Sequence, residues 1–410
     1  MPARPYAIQV IKRLCDAGYI AYFAGGWVRD FLMKKASDDI DIATNASVEE
    51  IIRLFPKTVP VGIAFGIVIV VEGPFHFEVA TFRRDRDYVD GRRPIGFDPA
   101  NPKEDAKRRD FTINGMFYDP LKEQLLDFVG GQEDIAKKVI RAIGNPHARF
   151  AEDRLRMMRA IRYATRFDFT IEKKTLDAIL AHAQDLLPAV AIERVWQEFK
   201  KMSHFAHFDQ GLISLHSLKL LPVIFPSLQS VPLSEIKKRV STIERFPKNT
   251  PAIAEILELF PEYTLAEILE LCEYLKVSKH ERDVATFLHK IKTLFQMPAS
   301  WIKNLELYEW AKIYAHPTSS LALEIVAAHH PKQEQIDFLN LHTERRKILA
   351  KPVERLEKKE PLVKAEDLMK QGVKPGKKMG ELLLLAERIS TNQLLEDKEA
   401  VISQLPCIPK

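Results

Sequence analysis

Apolar positions recur along this chain with two different periods, and the change from one to the other divides it. Up to about residue 140, short apolar runs are separated by Gly, Pro and Asp, the pattern of mixed α and β structure. Residues 7–17 repeat every three to four positions and predict a short amphipathic helix. Residues 20–24 read as a strand that runs into Gly25-Gly26, and residues 28–33 resume as a helix. Further strands are expected at 39–43, 66–71 and 76–81, the last two forming a hairpin around Glu72-Gly73-Pro74. Residues 81–109 are dense in charge and turn formers and predict a surface loop of a length that is uncommon and often functional. From Pro146 onward the helical period dominates. It is interrupted at Leu187-Pro188, Leu221-Pro222, Phe246-Pro247, Pro298, His316-Pro317 and Pro331, with no fixed repeat. The expectation is an α+β head over 1–140, a small sheet with flanking helices, followed by an all-α extension divided into 141–210, 211–290 and 291–410.

At 410 residues with 46% hydrophobic and 29% charged positions, the chain has the length of several domains and the balance of an ordinary globular protein. A net charge of +5 is too small to imply a polyanionic partner by itself, so the local distribution of charge matters more. Cys15, Cys272 and Cys407 lie far apart without metal-ligand spacing, which argues for a reducing compartment rather than a disulfide framework or a zinc site. The most apolar stretch, 59–71, is broken by Pro60, Gly62 and Gly66 and falls short of the ~20 residues that span a bilayer. With no secretory pattern at the N-terminus either, the expected location is cytoplasmic, with no membrane association and no stable protein partner implied.

Candidate chemistry begins with Gly25-Gly26-Trp27-Val28-Arg29-Asp30 followed by Asp38-Asp39-Ile40-Asp41. Residues two apart on a strand face the same way, so Asp39 and Asp41 present two carboxylates to one side, which repel unless a cation intervenes. Hard oxygen ligands with open positions suit Mg²⁺ that also holds substrate phosphates. Glycines after a strand let backbone N–H groups approach an anion, and Arg29 adds a charged donor. Together these suit a nucleoside triphosphate held on metal ions. No spacing suggests a Cys, Ser-His or Lys nucleophile, and the 12 histidines form no H-E-x-x-H pattern, which fits a direct displacement.

Two more segments extend the picture. Asp110, after Arg108-Arg109 and before the apolar segment 111–114, reads as a helix cap with the arginines on the solvent side. The helix expected from Glu152 carries Arg156, Arg159, Arg162 and Arg166 within roughly a third of its circumference, a basic stripe with no acidic partner visible in the local sequence. Asp153 and Arg156, three apart on that helix, can meet one base edge together. Cytosine and adenine each present an amino donor beside a ring-nitrogen acceptor, so an Asp acceptor paired with an Arg donor selects them over uracil and guanine.

The motifs GGWVRD, DIDIAT, RRDFTIN at 108–114 and EDRLRMMRAIRYATRF at 152–167 resemble, in order and spacing, the polymerase β nucleotidyltransferase superfamily. Within it, they resemble the bacterial-type (class II) tRNA CCA-adding enzymes and poly(A) polymerases. The resemblance implies a nucleotidyltransferase head, a neck bearing the nucleotide-template helix, a helical body and a tRNA-binding tail. It implies catalytic metal ligands at Asp39 and Asp41 and nucleotide contacts at Gly26, Arg29, Arg109, Asp110, Asp153, Arg156, Arg159 and Arg162. Glu78 is a candidate third carboxylate, with an outward-facing strand residue as the alternative. The implied activity is Mg²⁺-dependent addition of C, C and A to tRNA from CTP and ATP. A poly(A) polymerase or an A-adding enzyme shares the same motifs, and a non-catalytic RNA-binding protein is the reading from another class. Residues 84–94 resemble the flexible loop needed for adenine addition. Lys374, Lys377 and Lys378 are candidates to hold tRNA phosphates in the tail.

Overall fold

The structure is a computed structural model that describes residues 2–61, 66–86 and 96–406. Most of the loop expected over 84–94, including Asp87 to Pro94, and Cys407 therefore lie outside the described residues. Two compact units are formed, Met1–Lys238 and Arg239–Lys410. The first takes in the expected head and neck and the front of the expected body.

The first unit opens with α1 (Arg4–Asp16), β1 (Ala21–Ala24), α2 (Gly26–Leu32), β2 (Asp41–Thr44) and α3 (Val48–Leu54), the last started by a Ser47/Glu50 capping box. Strands β3 (Thr58–Val59), β4 (Ile67–Glu72) and β5 (Phe75–Thr81) follow. The expected hairpin is β4–β5, paired from Ile67↔Ala80 to Glu72↔Phe75. Gly73 in its turn has φ +59°, and a Cβ there would strike the Tyr6 ring at 2.4 Å.

The charged stretch after Thr81 is not simply a loop. It forms β6 (Arg83–Asp85), which pairs antiparallel with β7 (Phe97–Pro99), and then α4 (Pro102–Arg108). An Asn101/Glu104 capping box and Pro102 in the first turn start α4, whose Lys103 and Lys107 face solvent while Asp105 is buried. Strands β8 (Phe117–Asp119) and β9 (Gln124–Leu126) complete a seven-stranded sheet in the order β3-β4-β5-β2-β1-β8-β9. One face packs Phe23, Ile42, Val68, Val70, Phe77 and Val79 against Val10, Ile11 and Leu14 of α1, Trp27 and Val28 of α2, and Ile51 of α3. The opposite face carries a smaller cluster of Ala24, Ala43, Phe82, Ala106 and Phe117.

Helix α5 (Gly131–Lys137) fixes the segment that follows α4. One carboxylate, Asp127, accepts from the amides of Val129, Gly130, Gly131 and Gln132 and so satisfies the free N–H groups at the start of α5. Asp134 then accepts from the Thr112 hydroxyl at 2.7 Å. After β10 (Val139–Ile140), the chain runs through α6 (Pro146–Glu152), α7 (Arg156–Phe167), β11 (Thr170–Ile171), α8 (Lys173–His182), α9 (Ile192–Ser203) and α10 (Phe208–Ser217). Strands β10 and β11 pair parallel, and α7 packs on α9 and α10. Pro222, expected at a break, lies in the first turn of the helix Leu220–Ile224, where its missing N–H costs nothing.

The described part of the second unit is helical throughout. Buried Glu258 joins Lys292 and His329, and a separate small core of Val363, Leu368, Leu382, Ala386 and Val401 holds the last helices. Lys374, Lys377 and Lys378 are exposed, the latter two opening the helix Lys377–Asn392. Among the described residues, no helix is long and apolar enough to cross a membrane.

Gly131 offers a test of how tightly α5 seats this framework. A Cβ there would lie 2.2 Å from the Thr112 carbonyl oxygen, a backbone atom that cannot swing aside. Gly131→Ala should cost roughly 2 kcal/mol or more and lower the calorimetric Tm by several degrees. Gly18→Ala, with nothing within 4 Å and only an unfavourable φ of +90°, should cost about 1 kcal/mol. Equal melting temperatures for the two variants would refute the close seat of α5.

Candidate active site

The sheet register builds an acidic edge. β1 and β2 run antiparallel with Ala24 opposite Asp41, so the Asp41 carboxylate sits beside the Gly25 that ends β1. β2 and β5 run parallel with Ile42 opposite Val79, and Asp41 and Glu78 each precede that pair on their strands. Both therefore face away from the main core, whose side is taken by Ile42 and Val79. Burial, then Asp39, then Glu78 push the Asp41 carboxyl up to about 7, and the nearby Arg109 only partly offsets them. Negative charge left uncompensated on hard oxygen donors is what a divalent cation satisfies, so Asp39 and Asp41, with Glu78 beside them, fit a metal site.

Gly25 has φ +65° and ψ −129°, a backbone state that suits only glycine. A Cβ on Gly25 would lie 3.2 Å from Arg109 Nη1 and 3.6 Å from Asp41 Oδ2, so the missing side chain leaves a gap between them. Next to it, Gly26 begins α2, and a Cβ there would be 3.5 Å from the Arg29 guanidinium. Arg29 itself is 3% exposed and already engaged. Its Nε donates to Asp30 at 2.8 Å, its Nη1 donates to Asn114 at 2.6 Å, and Phe167 lies 4.6 Å beneath it.

The turn after α4 gathers the next expected residues. Asp105, buried in α4, receives both Arg108 and Arg109. Asp110 Oδ1 accepts from the Phe111 amide and from Asn114 Nδ2, and Oδ2 accepts from Arg159 Nε at 2.8 Å. Burial alone would raise the Asp110 carboxyl, but the charge and hydrogen bonds of Arg159, with Asn114, bring it down to about 2.

Two expectations about the neck are corrected. Asp153 and Arg156 do not share a helix: α6 ends at Glu152, Asp153 is its extended C-cap, and α7 begins at Arg156. Nor does the arginine stripe lack acidic partners. Arg156 pairs with Glu152, Arg159 with Asp110, Arg162 with Glu198 and Arg166 with Asp30. Three of these four partners come from other segments, which the helical projection could not show. Asp153 accepts from Arg194 of α9 at 3.1 Å, while Arg156 also donates to the Arg149 and Arg108 carbonyls at 3.0 and 3.1 Å. Asp153 thus sits in the turn before α7 and Arg156 at the start of α7, each held by a neighbour.

The family described as "Poly A polymerase head domain" matches residues 21–141, and the one described as "Probable RNA and SrmB- binding site of polymerase A" matches residues 168–231. The CCA-adding enzyme of Bacillus cytotoxicus is 34% identical over 96% of this chain and 95% of its own length. The chain belongs to the CCA-adding enzyme family. The Streptococcus mutans member is 32% identical over 97% of this chain and 95% of its own. The crystal structure of the Bacillus stearothermophilus CCA-adding enzyme in complex with CTP superposes with a TM-score of 0.81 at 26% identity, covering 98% of each chain. A small N-terminal sheet with flanking helices followed by a mostly helical remainder matches the fold of the CCA-adding enzymes.

Sequence reasoning missed Asp105, Asn114, Arg194 and Glu198. Each fixes a residue it did single out: Arg109, Arg29, Asp153 and Arg162 respectively. The only signal available was chemical, since every arginine that enters a core needs a carboxylate or amide to meet it.

The Asp110 network sets a pH dependence. Its carboxyl lies at about 2 when folded against an ordinary 3.8, so ionised Asp110 stabilises the fold above pH ~4 and that contribution is lost as pH falls towards 2. Asp110→Asn should therefore lose about 2 kcal/mol at pH 7 in urea unfolding, and its stability should converge with that of the parent as pH drops below ~3. Curves that stay parallel down to pH 3 would show that the Arg159 pair adds no net stability.

Proposed function

We propose that this chain adds C, C and A to the 3′ end of tRNA, drawing on CTP and ATP, with Asp39 and Asp41 as ligands of catalytic Mg²⁺. The observation that carries the proposal is the acidic edge that the sheet register builds from Asp41 and Glu78, with Asp39 beside them, at a glycine gap lined by Arg109. When bound, the metal ion would activate the RNA 3′-hydroxyl for in-line attack on the α-phosphate and offset charge on the leaving pyrophosphate. The chain's own residues supply the rest. Gly25 and Gly26 allow the triphosphate close to the backbone, and Arg109, with Arg29 behind Gly26, offers it positive charge. Asp110 and Arg159 hold the sugar end of the site together. Asp153 accepts from the amino group of C or A while Arg156 donates to the ring nitrogen, with Arg162 steadying the helix behind them.

Complete CCA addition is favoured over poly(A) synthesis by the whole-length similarity to relatives that bear the CCA-adding name. We keep 1–140 as head, 141–210 as neck, 211–290 as body and 291–410 as tail, with Lys374, Lys377 and Lys378 on the tRNA side. A cytoplasmic setting is supported by the free thiols of Cys15 and Cys272. The direct test incubates purified protein with Mg²⁺, a tRNA transcript lacking CCA and each NTP singly. CTP alone should add two residues, ATP alone none, and the two together should add three and stop.

Asp39→Ala and Asp41→Ala should each abolish incorporation of both CTP and ATP while tRNA binding in a gel-shift assay stays near that of the parent. Turnover close to that of the parent in either variant would remove the metal assignment. Asp153→Ala should erode the preference for CTP over UTP by a factor worth about 1–3 kcal/mol, because the acceptor that rewards an amino group is gone. Lys174→Ala should leave that ratio alone. If Asp153→Ala loses rate yet keeps full C over U preference, base selection lies elsewhere.

A further inference from the structure

Asp105 takes no part in the chemistry proposed above, yet it is 1% exposed and is met by three residues. Its Oδ1 accepts the Arg83 amide at 3.2 Å and Arg108 Nε at 2.8 Å. Its Oδ2 accepts Nε and Nη2 of Arg109 at 3.1 and 3.0 Å. Two parallel donors on one oxygen fix the direction of a planar guanidinium as well as its place. The bonds to Oδ1 in turn keep the carboxylate from following Arg109 if that side chain moves.

The remaining nitrogen of Arg109, Nη1, lies 3.2 Å from the point where a Cβ on Gly25 would be, and Asp41 Oδ2 lies 3.6 Å from the same point. Opposite charges thus face each other across an absent side chain, and Arg109 nonetheless pairs with Asp105. An arginine released from Asp105 would find Asp41 within reach of its flexible stem. Such a pair would occupy both the cation that phosphates need and the carboxylate that a metal ion needs.

We propose that Asp105 is a positioning residue for nucleotide binding: it holds Arg109 at the Gly25 gap, where the guanidinium meets the triphosphate, and keeps it from closing onto Asp41. The proposal rests on the nucleotide site assigned above. It makes Asp105 the competitor that wins Arg109 away from the acidic edge, so its removal matters only while the Asp41 carboxylate is there to capture Arg109.

The test is calorimetric titration of CTP into full-length protein in EDTA without tRNA, for the parent, Arg109→Ala, Asp105→Asn, Asp41→Asn and the double variant Asp105→Asn/Asp41→Asn. Asp105→Asn should weaken CTP binding roughly tenfold in the parent background but less than about twofold in the Asp41→Asn background, where nothing captures Arg109. An equal loss in both backgrounds would show that Asp105 serves only local folding and would overturn the proposal. If Asp105→Asn does not fold, Asp105→Glu displaces the carboxylate while keeping its charge, and the same comparison between backgrounds decides. Should Arg109→Ala leave CTP affinity unchanged, the nucleotide-site reading falls and this proposal with it. Should Arg109→Ala weaken binding while Asp105→Asn does not, this proposal alone falls.

Discussion

The geometry of the site depends on one buried carboxylate, Asp110, and on how its two oxygens are shared. One oxygen belongs to the head, accepting from the Phe111 amide and Asn114, and the other belongs to the neck through Arg159. Asn114 passes the restraint to Arg29, Arg29 to Asp30, and Asp30 to Arg166, which returns to the same helix two turns further along the same face. The result is a closed circuit of hydrogen bonds and ion pairs across α2, the 110–114 turn and α7. Desolvation consumes much of the attraction in buried ion pairs, so beyond the net contribution of the Asp110–Arg159 pair the circuit chiefly fixes orientation. Head and neck are held in one register because any shift strands a charge without water or partner.

Acidic residues in the first unit fall into two groups by this measure. Asp105, Asp110, Asp153 and Glu198 each meet an arginine. Asp39, Asp41 and Glu78 meet mainly one another, with Arg109 near but committed elsewhere. The first group builds the frame, and the second keeps an unsatisfied demand for positive charge.

How much of this was legible in the sequence follows from the length scale of each signal. Strands β4 and β5 were readable because their alternation runs over six and seven residues, whereas β3, β10 and β11, at two residues each, carry no period at all. The carboxylates at Asp39 and Asp41 were readable as a pair, but β2 starts only at Asp41, so Asp39 reaches Asp41 from the segment before the strand rather than through the strand alternation expected over 39–43. Helix α4 was hidden by its charge although Asn101-Pro102 and Glu104 announced its start. The neck arginines were visible and their partners were not, since Asp30, Asp110 and Glu198 lie 36 or more residues away from the arginines they meet. The break at Asp153 was missed although its carboxylate accepts the Leu155 amide two residues on, a local turn bond, while Arg194 meets its other oxygen.

The parallel pairing of β2 with β5 has a kinetic side. Antiparallel neighbours such as β4 and β5 form from a tight turn, but β2 cannot reach β5 until α3, β3 and β4 have been laid down between them. Closing that long excursion is entropically expensive and comes late in folding. Asp41 and Glu78 are therefore brought side by side only when the rest of the sheet is present to hold them. The mutual repulsion of the acidic edge burdens the finished structure, and the growing chain is spared it.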